Sequence, residues 1–380
     1  MDHNTDFEDI RPFHDHEVPA AINLLLRDPG FVMFTRFLFP TVNKSDLFRS
    51  FRTIQTVKEF QEKFALTAID SIIKRTVKGL TYNGQNLLDK ASSHLFISNH
   101  RDIILDSALL NYILFKNGFE TSELAIGENL LLSPFITNVV KLNKSFTVMR
   151  NGSSRELYDY SKRLSAYIRY TLNEKNTSIW IAQREGRAKD CDDRTQVGLL
   201  KMLMMASEAM PGNALELLHI APFSVSYEFD PCDMLKAVEL YYKEKQLPYE
   251  RTPEIDTESM LTGISGPKGR IHLEFTPRIS DRDVPYDTEG NLNDWLKELA
   301  NYIDQRIHQS YMLWPTNYAA YDMLHKTERF SGEYTADELA YFTKYLTEKA
   351  AMAPSDTDKD EIIRLMLVMY AFPLRNKLGI

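Results

Sequence analysis

The chain has 380 residues, 43% of them hydrophobic, and a formal charge of −8. That length supports a large core, and the acidic balance argues against a broad nucleic-acid footprint, so no nucleic-acid partner is expected. Two cysteines, Cys191 and Cys232, are too few for a disulfide framework and lack metal-ligand spacing, which fits a reducing, cytoplasmic setting with no metal centre. The acidic start, Met1 to Asp9, does not read as a signal peptide. No apolar run approaches the roughly 18 residues of a membrane span.

In chain order, residues 1–20 read as loosely ordered, and helical patterns follow to about residue 80. Within them Phe31, Val32, Met33, Phe34, Phe37, Leu38 and Phe39 form a dense cluster ended by Pro40 and flanked by Arg36 and Lys44. Such a cluster suits a helix packed on a core, or one that rests on a bilayer. From 95 to 275 the pattern alternates. Short strand-like runs at 95–98, 124–126, 146–149, 178–182, 217–227 and 271–275 are separated by helix-like segments at 103–116, 129–140, 154–173, 195–210 and 234–245. Alternation of this kind predicts an α/β fold, with a mixed, largely parallel central sheet flanked by helices. Residues 248–270, punctuated by Pro248, Pro253, Gly263, Gly266, Pro267 and Gly269, read as loop. Beyond 290 helical spacing returns, with further helices expected at 335–351 and 358–371. The division is therefore an N-terminal helical region (1–85) with a possible membrane-contact element, an α/β domain (86–285) and a C-terminal helical region (286–380).

In open sheets of this type ligands sit beyond the carboxyl ends of the strands. The polar residues that follow the strand-like runs are thus the candidates. After 95–98 come Asn99, His100, Arg101, Asp102 and Asp106. A histidine suits general-base work near neutral pH, and a neighbouring carboxylate would fix its tautomer. Asp102 and Asp106 both qualify for that role. After 146–149 comes Arg150, whose fork matches phosphate geometry. After 178–182 come Arg184, Glu185, Gly186, Arg187 and Lys189, a charged glycine turn that taken alone reads first as a solvated loop and second as an anion site. Pro222 lies inside the next strand-like run, where proline marks a strand start or a bend. His14, Asp15, His16 and Glu17 look metal-like but fall in the arm read as loose, so no metal is expected.

In this order the stretches resemble the glycerolipid acyltransferase family, which includes glycerol-3-phosphate and lysophosphatidate (1-acylglycerol-3-phosphate) acyltransferases. The resemblance covers roughly 90–280. Asn99-His100-Arg101 through Asp106 is similar to the family's histidine–aspartate block. Phe146 to Arg150 resembles its arginine strand end, Glu185-Gly186-Arg187 its Glu-Gly-x-Arg block, and Ile220-Ala221-Pro222 its proline strand. Gly269 to Phe275 fits a closing strand. Two departures stand out: five residues rather than four separate His100 from Asp106, and Arg187 follows Gly186 directly.

The resemblance implies an O-acyltransferase of phospholipid biosynthesis. It would move an acyl group from acyl-CoA or acyl carrier protein (acyl-ACP) to a hydroxyl of glycerol 3-phosphate or a lysophospholipid. His100 would be the base, with Asp106 or Asp102 as its partner. Arg101, Arg150, Glu185, Gly186, Arg187, Lys189 and Pro222 would contact substrate, backbone amides after His100 would stabilise the oxyanion, and no cofactor beyond the thioester co-substrate would be needed. The enzyme would be peripheral, on the cytoplasmic, inner face of the membrane. A catalytically inactive lipid- or acyl-carrier-binding module is the alternative that the two departures support. A serine esterase lacks its Gly-x-Ser-x-Gly elbow, and Gly263 to Gly269 does not make a phosphate loop.

Overall fold

The computed structural model describes residues 7–205, 213–287 and 289–380. Seven strands form one sheet: β1 (Val77–Asn83), β2 (Leu95–Ser98), β3 (Glu123–Gly127), β4 (Ser145–Val148), β5 (Ile179–Ala182), β6 (Ile220–Tyr227) and β7 (Gly269–Phe275). Their order is β1-β7-β6-β2-β5-β3-β4. Every neighbouring pair is parallel except β6–β7. The fold is therefore α/β with a mixed, largely parallel sheet. Strands β2 to β6 all point one way, so their carboxyl ends share one edge of the sheet, while β1 and β7 run oppositely.

Both faces of the sheet are covered, as parallel strands require. The side chains of β2 show the alternation: Phe96 enters one core with Trp180, Phe223 and Leu273, whereas Leu95 and Ile97 enter another with Phe146, Ile179 and Ile181. The first core is closed by helices from the N-terminal region and by helix Leu105–Lys116. The second is closed by helices Ser154–Asn173, Val197–Met204 and Leu292–Gln309. A third core joins helix Asp233–Glu244 to the C-terminal helices Pro315–His325, Ala336–Ala351 and Lys359–Leu378.

The structure differs from the sequence reading in several places. Residues 7–20 are ordered: Arg11 is clamped by Glu8 and Glu17, and helix Val18–Leu25 follows. Strand β1 lies where helix was expected. It is an edge strand with no fully buried residue, so its apolar signal is weak. Residues 253–265, read as loop, form a helix. Pro253 occupies its first turn, Glu254 and Asp256 complement its dipole, and Gly266 follows its last residue, so the punctuation bounds a helix rather than breaking one. The start of the run 217–227 belongs to a short helix, Ala214–Leu218, which ends at His219 in a left-handed conformation. The helix expected over 195–210 is observed as Val197–Met204, and its last residues, 206–210, lie outside the described residues.

Candidate active site

Strand β2 ends at Ser98, and the chain then turns before helix Leu105–Lys116. Asn99 locks the strand end to β6: its amide donates to the Val225 carbonyl and its oxygen accepts from the Val225 N–H, both at 2.9 Å. His100 follows at the rim, with Trp180 edge-on to its ring at a centroid distance of 5.5 Å. Its Nδ1 lies 2.9 Å from Asp106 Oδ2. A carboxylate only accepts, so Nδ1 carries the proton and Nε2 is left as the basic nitrogen.

The extra residue before Asp106 is absorbed by the turn. Helix geometry begins only at Leu105, so the 100°-per-residue rule does not run from His100. Asp106 is fully buried, and its Oδ2 also accepts from the amides of Arg101 at 2.6 Å and Asp102 at 3.0 Å. Its Oδ1 accepts from the Tyr227 hydroxyl at 2.9 Å, and burial followed by the Asp106 charge drives that phenol well above its ordinary range. Asp102 has a different task. Its Oδ1 accepts from the amides of Ile104 and Leu105 at 2.9 and 2.8 Å and so ties down the turn that leads into the helix. Burial, and then the negative charge of Asp106, push its carboxyl above the usual range. These bonds commit the amides of Arg101, Asp102, Ile104 and Leu105, so they are not the oxyanion donors that the sequence suggested. The amide of Ile103, a residue at the cavity wall, is not among them.

A cavity of about 720 Å³ opens beside His100, at the carboxyl ends of β2, β3, β4 and β5. Arg150, Arg184, Glu185, Gly186 and Arg187 line it. Arg150 follows β4, and its backbone N–H is held by Glu128 Oε1 at 2.9 Å. Its guanidinium meets Glu185 at 2.7 Å. Gly127 makes room for it, since a Cβ there would come within 2.5 Å of Arg150 Nε. Gly186 has φ +68° with open space around it, so backbone conformation rather than crowding calls for glycine. Arg187 is buried, and its Nη1 has no hydrogen-bond partner; Nε of Arg150 and Nε of Arg184 are buried without partners too. Buried guanidinium donors without acceptors are costly, but Arg169 and Arg278 show the same state outside the cavity; its suitability for an anion rests on the guanidinium charges of Arg150, Arg184 and Arg187 along its wall.

Other expected residues stand elsewhere. Arg101 points away from the cavity into a buried pair with Asp193. Lys189 pairs with Glu239 outside the cavity lining, and burial, followed by the Arg187 charge, lowers its ammonium to about 8. Pro222 lies within the sheet opposite Ile97, and its carbonyl accepts from Thr276 beyond the last β6–β7 pair. Its missing N–H thus falls where β7 is leaving the sheet. Lys141 and Lys144 flank the opposite end of β4 from Arg150. Sequence reasoning missed Tyr227 as the second partner of Asp106, Trp180, Gln196, and Arg251, which lines the cavity from the segment read as loop.

A second, apolar cavity lies behind the turn, lined by Phe34, Leu38, Phe60, Phe64, Ile69 and Ile104 among others. A π-helical turn, Gln61–Ala65, forms part of its wall. Ile103 lines the cavity beside His100 and Ile104 the apolar one, so a single turn of chain divides them. In helix Pro29–Leu38, Phe31 and Leu38 are buried, while Met33 is 72% and Phe37 37% exposed. No helix among the described residues is long and apolar enough to cross a membrane.

No sequence-family description matches the chain, and no curated protein does. One solved structure with a similar course is the 1-acyl-sn-glycerophosphate (LPA) acyltransferase PlsC from Thermotoga maritima. It is 14% identical and is matched over 76% of this chain and 94% of its own, with a TM-score of 0.36. That likeness is too loose to bear on function, which is argued from the site.

Proposed function

We propose that the protein is an O-acyltransferase that moves an acyl group from a thioester, acyl-CoA or acyl-ACP, to a hydroxyl of a phosphorylated glycerol-based acceptor. The observation that carries this reading is the pairing within one cavity of a tautomer-fixed histidine with three arginine side chains. His100 Nε2 takes the proton as the acceptor hydroxyl attacks the thioester carbonyl. Asp106 holds the ring and stabilises the imidazolium. Arg150, Arg184 and Arg187 bind the acceptor phosphate, which sets the hydroxyl near Nε2; positioning of this kind supplies several kcal/mol, of order 7 or more in favourable cases. The tetrahedral intermediate then collapses, the thiolate leaves and takes a proton, and the ester remains. No metal or further cofactor enters this scheme.

The four sequence blocks support the glycerolipid class, with glycerol 3-phosphate and lysophosphatidate as acceptors to try first. The exposed Met33 and Phe37, with Arg27, Arg36 and Lys44 nearby in sequence, suit a peripheral position on the inner, anionic face of a membrane. Sedimentation with anionic vesicles tests that last point: Met33→Asp/Phe37→Asp should reduce binding, and equal binding would remove this helix from the account. The reaction itself is tested by following thioester consumption with each acceptor for wild type and His100→Ala. Turnover lost in the variant supports the enzyme, whereas acceptor binding without turnover in wild type would favour a lipid-binding module.

A further inference from the structure

Arg101 neighbours the histidine yet faces away from the cavity. Its guanidinium is closed on by the two oxygens of Asp193, at 2.7 and 2.5 Å, with both side chains buried. Asp193 is in turn held from the C-terminal region. The Tyr311 hydroxyl donates to Asp193 Oδ2, and His308 Nε2 donates to its carbonyl at 2.7 Å. Two residues on, Thr195 gives its amide and its hydroxyl to Asp304 Oδ1, at 2.7 and 2.6 Å. Asp304 and His308 belong to helix Leu292–Gln309, and Tyr311 follows it. The backbone of Arg101 is engaged as well. Its N–H donates to Asp106 Oδ2 at 2.6 Å, and its carbonyl receives the ammonium of Lys236 at 2.8 Å. Lys236 is itself buried and paired with Asp230.

We infer that Arg101 is a positioning residue: its buried pair with Asp193 fixes the turn that holds Asp106 against His100, so the C-terminal helices set the geometry of the dyad from behind the cavity. A two-pronged arginine–carboxylate contact fixes distance and orientation together, which a lysine's point charge does not. Burial deepens the constraint, because rotation of the guanidinium away would leave the buried Asp193 carboxylate without its counter-ion. The path is continuous: helix Leu292–Gln309 and Tyr311 hold Asp193, Asp193 holds Arg101, the Arg101 amide holds Asp106, and Asp106 holds the imidazole. Each link is a hydrogen bond, and all but the last, which opens on the cavity at His100, join buried groups.

The inference rests on the acyl-transfer reading for its kinetic arm alone. The test compares wild type, Arg101→Lys and Tyr311→Phe, each labelled with ¹⁵N-histidine and checked for folding by circular dichroism. Two quantities are read: the hydrogen-bonded Nδ1–H proton signal of His100, and steady-state turnover with thioester and acceptor. In Arg101→Lys the signal should broaden or disappear. Its kcat should fall on the order of 100-fold, with KM for the acceptor within about twofold, because the side chain does not touch the cavity. Tyr311→Phe, the milder change, should move both readings in the same direction by less. An unchanged His100 signal in both variants overturns the inference. So does a raised KM with unchanged kcat, which would put Arg101 on the substrate. If wild type consumes no thioester, the acyl-transfer reading fails, while the proton signal still decides the positioning role.

Discussion

The two walls of the cavity are finished to different degrees. On the His100 side the hydrogen-bonding capacity of Asp106 is filled by protein: the imidazole, the amides of Arg101 and Asp102 and the Tyr227 hydroxyl converge on it. On the arginine side, Nε of Arg150, Nε of Arg184 and Nη1 of Arg187 are buried with no acceptor. The contrast assigns the labour. On the proposed reading, the base is preorganised before substrate arrives, whereas the anion site is completed by its ligand. Removal of a group from the first wall should therefore slow chemistry, and removal of one from the second should weaken binding.

The largest effect that could break this comparison is at the dyad. His100→Ala should lower kcat on the order of 1,000-fold or more, and Asp106→Asn on the order of 100- to 10,000-fold, as measured by thioester consumption. Asp102→Asn should behave differently. Asparagine keeps the oxygen that accepts from Ile104 and Leu105, so stability in chemical denaturation should change by less than about 1 kcal/mol and kcat by less than about tenfold. If Asp102→Asn proved the more damaging to kcat, the roles of the two aspartates would be reversed.

The arginine wall gives the next effect. Arg187→Gln should raise KM for a phosphorylated acceptor on the order of 10- to 100-fold with a smaller change in kcat, the value of a lost charge-assisted contact. The same contrast can be read without turnover. Inorganic phosphate at 100 times its Kd should stabilise wild type by about 2.7 kcal/mol, and Arg187→Gln should erode that gain. An equal phosphate shift in both proteins would move the anion elsewhere.

A subtler prediction concerns pH. Burial pushes the Asp304 carboxyl up from 3.8 to about 6. Its folded-state pKa lies above the unfolded one, so the native chain holds more protons between those values. Stability from this group is therefore greatest below about 4 and declines as pH rises to about 6, by on the order of 2–3 kcal/mol in total. Asp304→Asn should flatten that slope in urea melts taken at several pH values; an unchanged slope would show that the group titrates normally. Smallest of all, Gly186→Ala should cost about 1 kcal/mol through its left-handed backbone, with no steric clash to add to it.

Much of this arrangement was legible in the sequence for a physical reason. Strands β2 and β5 are short apolar runs buried in the sheet and bounded by polar residues, and helix Ser154–Asn173 matches the helix-like segment expected there. Those signals are local. His100, Glu185 and Arg187 follow the parallel neighbours β2 and β5, and Arg150 follows β4, beyond the intervening β3 at the same edge of the sheet; the alternating pattern anticipates that shared edge. What was not legible depends on distant parts of the chain. Arg101 reads as a free cation until Asp193 and Tyr311 are brought to it, and Asp102 could not be told from Asp106 without the course of the turn. Strand β1 is an edge with half-exposed residues, and helix Pro253–Ser265 was hidden by its own bounding prolines and glycines.

The most direct measurement of the central claim is product detection by mass spectrometry after incubation of a long-chain acyl-CoA, or acyl-ACP, with glycerol 3-phosphate or lysophosphatidate. Wild type should yield the acylated phosphoglycerol ester, with one thiol released per ester formed, and His100→Ala should yield none above background. Ester formed equally by both proteins, or no ester from wild type with any of these donors and acceptors, would contradict the account.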